Sequence, residues 1–296
     1  MDPIAQAWVE LKFENLYLKA RGESFQELFS TLLEKRYPGD FVRVRPWGNV
    51  GDKKNDGHLP SARTIFQCYA PNELTAADAI KKINADFMGA LAHWPDDFDR
   101  WIFVHNSKAG LGPDVLKALL DLQTNHPGKL VQSWGYEELL REVLFLEEGQ
   151  LTSFLGAAPT RQAIVDLGME DLVPVLDQIA RHSVKPEIDV RPVPPDKLTR
   201  NMLSMSVETL LLAGMVRTPL VRQYFSAKPG DRDRLAARFQ AEYAALRVGT
   251  SSPDEIFHAL QRLATGDRMA TPAHQAASFA VLAFFFEECD IFERPE

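Results

Sequence analysis

The stretch Trp47-Gly48-Asn49-Val50-Gly51-Asp52-Lys53-Lys54-Asn55-Asp56-Gly57-His58, followed shortly by Phe66-Gln67-Cys68-Tyr69, decides how the first half of this chain folds. Gly48, Gly51 and Gly57 frame two carboxylates in a turn, because glycine and short polar side chains supply the backbone angles and local hydrogen bonds that turns demand. Before it, Phe41-Val42-Arg43-Val44-Arg45 alternates with period two and reads as a strand with both arginines on one face. After it, Thr64 to Tyr69 reads as a short apolar strand ended by Pro71.

Further outward, helix and strand patterns alternate. Phe25, Leu28, Phe29, Leu32 and Leu33 recur at helical spacing within Glu23 to Arg36, and Pro38-Gly39 stops that helix. Thr75 is placed to cap a helix from Ala76 to about Leu91. Arg100 to His105 reads as a buried strand, Pro113 to Leu122 as a helix opened by proline, Lys129 to Trp134 as a strand and Tyr136 to Phe145 as a helix. This alternation predicts an α/β sheet flanked by helices and ending near residue 148. Residues 149–160 read as a linker. Beyond it the pattern is all helical: Ile164 to Ala180, Leu198 to Ala213, Pro219 to Tyr224, Asp231 to Leu246, Pro253 to Leu263 and Pro272 to Cys289, with a proline-rich connector from Val184 to Pro195. Two domains are expected, 1–150 and 151–296.

Composition agrees with a folded chain. Of 296 residues, 45% are apolar and 25% charged, which excludes a disordered tail or a fibrous repeat. Cys68 and Cys289, one near each end, suit a reduced compartment better than a disulfide framework. The longest apolar run, Phe279 to Phe286, is far short of the roughly 18 residues a membrane span needs, and Met1-Asp2-Pro3 lacks a signal-peptide pattern; the cytoplasm is the expected location, with no membrane partner. Net charge is −8, made of −5 before residue 151 and −3 after it. Neither half has the basic excess of a stand-alone nucleic-acid binder. Any nucleic-acid contact must come from a local patch, a metal or a partner subunit.

The acidic turn and the strand carrying Gln67 suit a hard divalent cation. Mg²⁺ takes one or two carboxylates together with carbonyl and water oxygens, and Asp56, Asp52, Gln67 and the Cys68 carbonyl offer both kinds. A cation held there would polarise a phosphodiester and lower the pKa of a bound water. The bland alternative is a tight solvated turn, with Gln67 a strand-end amide bonded to backbone. Arg43 and Arg45 could hold a nucleic-acid backbone or simply keep an edge strand soluble. His58 could touch a phosphate or be an exposed turn histidine. Lys108 to Pro113 opens a helix after a strand but lacks the Gly-Lys-Ser/Thr of a phosphate loop, so it reads as structural. No His or Cys pair has zinc spacing, and Ser153 and Ser206 lack a nucleophile elbow.

These residues resemble the PD-(D/E)xK restriction-endonuclease-like superfamily, in the branch with Gln at the second acid. That pattern is an N-terminal helix with an acid, a turn ending in Asp-Gly, then a strand ending in acid or Gln, any residue, and Lys. Here the helix offers Glu27, with Gln26 at the neighbouring and equally good register; the Asp-Gly is Asp56-Gly57; the last element is Gln67-Cys68-Tyr69. The resemblance spans roughly 20–148 and implies a mixed sheet flanked by helices and a Mg²⁺- or Mn²⁺-dependent nuclease, with Asp56, Glu27 and Gln67 at the metal. Tyr69 departs from it. Tyrosine can hydrogen-bond a water or phosphate but carries no positive charge, so Lys53 or Lys54 must supply the charge, or the fold is catalytically dead.

At the other end, Leu203-Ser204-Met205-Ser206, Val221 to Phe225 and above all the ending Phe286 to Glu293 resemble the C-terminal domain of ABC-type-ATPase three-component systems. Those bacterial conflict loci encode an ATPase, a middle protein and an effector. The resemblance, over roughly 198–296, implies an effector docked to an ATPase and a middle component, with self-association left open. Pro272 to Phe292 is apolar nearly all round, which marks a helix buried on most faces. Ile291 and Phe292 are expected either as apolar docking anchors beyond it or as the closing residues of the bundle.

Overall fold

The computed structural model describes residues 1–44, 54–180, 197, 201–249, 251–266, 271–288 and 291–292. Arg45, Asp52, Lys53 and the connector from Val184 to Pro195 lie outside the described residues, as does Cys289. The chain divides into two compact units, residues 16–154 and residues 1–15 together with 155–296. The first fifteen residues thus group with the helical unit.

Helix α1 (Pro3–Lys19) opens the chain, and α2 (Glu23–Arg36) follows. A mixed five-stranded sheet comes next, built from β1 (Val42–Arg43), β2 (Gly57–Leu59), β3 (Thr64–Tyr69), β4 (Arg100–His105) and β5 (Leu130–Trp134) in that spatial order. The pairs β1–β2 and β2–β3 are antiparallel, while β3–β4 and β4–β5 are parallel. Parallel neighbours need a crossover, supplied by α3 (Ala76–His93) and α4 (Pro113–Asn125). The unit ends with α5 (Tyr136–Leu144) and α6 (Glu148–Leu155), the latter lying where a linker was expected.

The two faces of the sheet have separate cores. On one, Ile65, Trp101 and Phe103 pack with Ala79, Ile83, Phe87 and Ala90 of α3 and Val115 and Leu119 of α4, and Tyr69 lies against this cluster. On the other, Phe66 meets Phe29 of α2 and Trp134 of β5 at ring distances of 5.3 Å. Period-two alternation along β3 therefore sends Ile65, Gln67 and Tyr69 toward α3 and Phe66 toward α2. Thr75 caps α3 as its spacing predicts, its hydroxyl accepting from the Asp78 N–H at 3.2 Å.

His105, at the end of β4, is buried, and its ring lies so close to Gly135 that a Cβ there would fall 2.8 Å from the ring. The Ser107 N–H donates to His105 Nδ1 at 3.3 Å, which assigns the ring proton to Nε2. Burial pulls the imidazole from 6.5 down to about 4, with Glu138 opposing. The unfolded chain therefore takes up a proton that the folded one refuses between those values. The stability at stake is full above pH 6.5 and drains as pH falls through about 4, on the order of 3 kcal/mol. His105→Gln is expected to flatten the acid limb of the α/β unit's urea-unfolding stability over that window; an unchanged limb would contradict the assignment.

The second unit is helical throughout its described residues: α7 (Arg161–Val165), α8 (Met169–Ala180), α9 (Met205–Met215), α10 (Thr218–Ala227), α11 (Pro229–Val248), α12 (Pro253–Thr265) and α13 (Pro272–Glu287). The single helix expected over Ile164 to Ala180 is two, broken at Asp166 to Gly168. Helix α13 is the axis: every residue from Gln275 to Phe286 is buried, and it packs on α7, α8, α9, α10 and α12. Of the two expectations for Ile291 and Phe292, docking anchors or closing residues of the bundle, their burial at 1% and 5% exposure fits the second. The Phe292 ring lies 5.8 Å from Phe286 and 5.4 Å from Tyr243, so packing within the unit claims both side chains. Lys197 is buried beside them, donating to the carbonyls of Phe286 at 2.7 Å and Ile291 at 2.6 Å. No helix among the described residues is long and apolar enough to cross a membrane.

Candidate functional site

Asp56 sits just before β2, where its own N–H donates to the Phe66 carbonyl at 2.9 Å and so ties the turn to β3. Its carboxylate is 4% exposed. One oxygen accepts from the Gln26 amide of α2. The other accepts from the Gln67 amide and from the Cys68 N–H, each at 2.7 Å. A carboxylate held by three donors is a buried hub, and the picture of an exposed turn acid does not survive. Burial raises the Cys68 thiol well above its ordinary value, with the Asp56 charge adding to the effect and Lys82 opposing it.

Asp56 and Gln67 are thus brought together as the spacing predicts. The helix residue that reaches them is Gln26; Glu27 is directed elsewhere, exposed and ion-paired with Arg43. The physical reason is charge. Arg43 on β1 also pairs with Glu34 at 2.9 Å, so two carboxylates of α2 converge on its guanidinium. Arg43 is consequently neutralised within the unit and offers no free charge to a nucleic-acid backbone, against that expectation. His58 lies within β2 and is half-buried, its ring 6.5 Å from Trp94, which corrects the exposed-turn reading. Tyr69 shares the α3-facing side of β3 with Gln67 and lies 5.9 Å from the Phe103 ring. Burial and the nearby Asp78 raise its phenol above the usual value, so Tyr69 keeps its proton at neutral pH.

Lys54 adopts a left-handed backbone (φ 65°) and its ammonium is 3.1 Å from Asp86 of α3. Lys82, one turn earlier on α3, meets the other oxygen of Asp86 at 2.5 Å. Asp86 itself has no exposure at all. Sequence reasoning missed Lys82 and Asp86; the available signal was a lysine–aspartate pair at four-residue spacing with its acid on the apolar side of α3, beside Ile83 and Phe87.

Polar groups around Asp56 remain unmatched among the described residues, His58 Nε2 two residues on among them. Gln67 Oε1 is buried without a hydrogen-bond partner, and Asn55, wholly buried, has neither amide atom paired. Such groups are costly unless something binds them. No group of three or more His, Cys, Asp or Glu side chains among the described residues is arranged to hold a metal; of the described residues, Asp56 offers a carboxylate here and Gln67 a neutral oxygen.

Residues 170–293 match the family model of C-terminal domain 10 of the ABC-three component (ABC-3C) systems. Most of the helical unit is therefore similar to a domain described for these systems. No curated protein and no solved structure matches the chain.

Proposed function

We propose that this chain is the effector of an ABC-three component system, its α/β unit a divalent-metal-dependent nuclease and its helical unit the part that docks an ABC-type ATPase and a middle-component protein. The pairing of Asp56 with Gln67 at neighbouring strand ends carries the nuclease half. Helix, Asp-Gly turn and Gln-bearing strand follow one another in the order that the restriction-endonuclease-like resemblance implies. An ionised carboxylate is an oxygen ligand of the kind that Mg²⁺ or Mn²⁺ takes. Gln67 Oε1 supplies a second, neutral oxygen, and hard cations accept such a set, completing it with water. When bound, the cation would polarise a phosphodiester and acidify a water. Gln26 and the Cys68 N–H hold the carboxylate still, and Gln67 couples it to β3.

Docking by the helical unit is supported by its matched domain and by an apolar stripe. Met205 and Leu212 of α9, with Val216 just beyond, are more than half exposed at seven- and four-residue spacing, one side of a helix. Exposed apolar stripes of this kind mark protein contacts, and the stripe takes the place of the buried Ile291 and Phe292.

Gln67→Glu tests the metal. Without divalent cations it sets two carboxylates about 3 Å apart and lowers the melting temperature of the α/β unit. Mn²⁺ is expected to restore that temperature and to bind at least about tenfold more tightly than to the parent chain. A substitution that gains no Mn²⁺ affinity would remove the cation from this site. A catalytically inactive, nucleic-acid-binding or scaffolding subunit of the same fold is the second reading, favoured by Tyr69 in the lysine position and by Glu27 tied to Arg43. A parent chain that binds Mn²⁺ yet leaves plasmid DNA and structured RNA intact when assembled with its companions would establish it.

A further inference from the structure

Helix α3 presents a row of side chains to the Asp56 region. Asp78, Lys82 and Asp86 follow one another at four-residue spacing, which places them along one side of the helix. Asp78 lies close enough to Tyr69, and Lys82 close enough to Cys68, for its charge to act there. Asp86 holds Lys54, two residues before Asp56. At Gly89 the Lys54 stem passes so close that a Cβ would fall 2.5 Å from its Cγ. The row therefore runs along the end of β3 and the segment leading into Asp56, on the side to which Gln67 points.

A wholly buried aspartate needs its charge answered. Two lysines answer Asp86, Lys54 at 3.1 Å and Lys82 at 2.5 Å. Lys82 is 31% exposed: its ammonium is anchored at 2.5 Å on one side and still open to solvent on another. That is the situation of a cation held beside its counter-ion and still within reach of an anion arriving from solvent.

We propose that Lys82, oriented by the buried Asp86 that it shares with Lys54, is the cationic group that meets the substrate phosphate beside Asp56 and Gln67. The proposal rests on the nuclease reading above and supplies from α3 the positive charge that Tyr69 lacks. Lys82 would stabilise the developing charge on the phosphate, with Asp86 as its positioning residue and Lys54 closing the trio from the turn.

The test measures two ligands in the full-length chain. In the Gln67→Glu background, Lys82→Met is expected to tighten Mn²⁺ several-fold, because a repelling charge leaves the site. The same substitution is expected to weaken a short fluorescein-labelled DNA duplex, measured in Ca²⁺, several-fold, because an attracting charge leaves. Lys82→Arg should return both affinities toward the parent values. Opposite signs separate a charge facing the site from a structural part, whose loss would weaken both ligands together. Equal Mn²⁺ and DNA affinities with and without Lys82, or losses in both, would overturn the proposal while Gln67→Glu still gains Mn²⁺. Failure of Gln67→Glu to gain Mn²⁺ would overturn the metal reading and this inference with it. Far-ultraviolet circular dichroism checks that each variant is folded, and Lys82→Gln replaces Lys82→Met if the latter is not.

Discussion

A chain ended after Cys289 is expected to lose the cooperative melting transition of its helical unit, while the α/β unit keeps its own. Two buried side chains leave with the cut, Ile291 at 1% and Phe292 at 5% exposure. Removing a buried Ile or Phe typically costs about 2–5 kcal/mol each, through lost transfer energy and the cavity left behind. The cut also takes the Ile291 carbonyl from the buried Lys197 ammonium, which donates to the Phe286 carbonyl as well and lies 4.3 Å from that residue's ring. A buried charge stripped of a partner is a severe loss in its own right. Phe292 also holds a left-handed backbone (φ 64°), which a bulky residue adopts only where its surroundings insist. The sum is on the order of 5 kcal/mol or more, comparable with the entire stability of an ordinary domain. Differential scanning calorimetry of the shortened chain checks it. An unchanged transition with loss of the companion proteins in a pull-down would reverse the conclusion and make the tail a docking element after all.

What the sequence reveals of this molecule follows from how each element is buried. Strands β3 and β4 are legible to the residue because both faces of the sheet are covered, so they read as apolar runs bounded by turn residues. Helices α3 and α4 show because each buries one stripe and caps itself with Thr75 or opens with Pro113. Helix α1 is missed for the opposite reason. Trp8, Val9, Leu11, Phe13 and Tyr17 are all buried and spread around its circumference, so no single stripe marks it. Helix α6 is hidden by Gly149 and Gly156, which suggest a linker although Gln150 anchors that turn to the Lys35 carbonyl at 2.6 Å. Within the site, Asp56 and Gln67 are legible because a turn and a strand end bring neighbours in sequence together. The choice between Gln26 and Glu27 is not, since it is decided by Arg43 drawing Glu27 away. Lys82 and Asp86 belong to a different element altogether, and only the packing of α3 on the sheet brings Asp86 to Lys54 and the charge of Lys82 within range of Cys68.

Asp56→Ala is expected to lower the stability of the α/β unit by about 3–5 kcal/mol, an effect large for a residue beside a turn. The direction follows from which groups are left behind. Deleting the carboxylate removes the cost of burying its charge, which favours the variant. It also strands the Gln67 amide, the Cys68 N–H and the Gln26 amide, all of which donate to it. Each unmatched buried donor costs about 1–3 kcal/mol, and bonds to a charged acceptor lie at the upper end. Gln67 is 2% exposed and cannot turn to water, whereas Gln26 is half-buried and can recover part of its loss. The donors therefore outweigh the desolvation gain. Asp56→Asn should cost less, about 1–3 kcal/mol, because one amide oxygen still accepts while its NH₂ faces another donor. Pairing Asp56→Ala with Gln67→Met, which removes the most deeply stranded donor, should cost clearly less than the sum of the two single changes. Urea unfolding followed by tryptophan emission in a Trp8→Phe background reads the α/β unit through Trp94, Trp101 and Trp134. Additive losses, or an Asp56→Ala variant as stable as the parent, would mean that the carboxylate is no hub, and any loss of cleavage in Asp56 variants could then be assigned to chemistry alone.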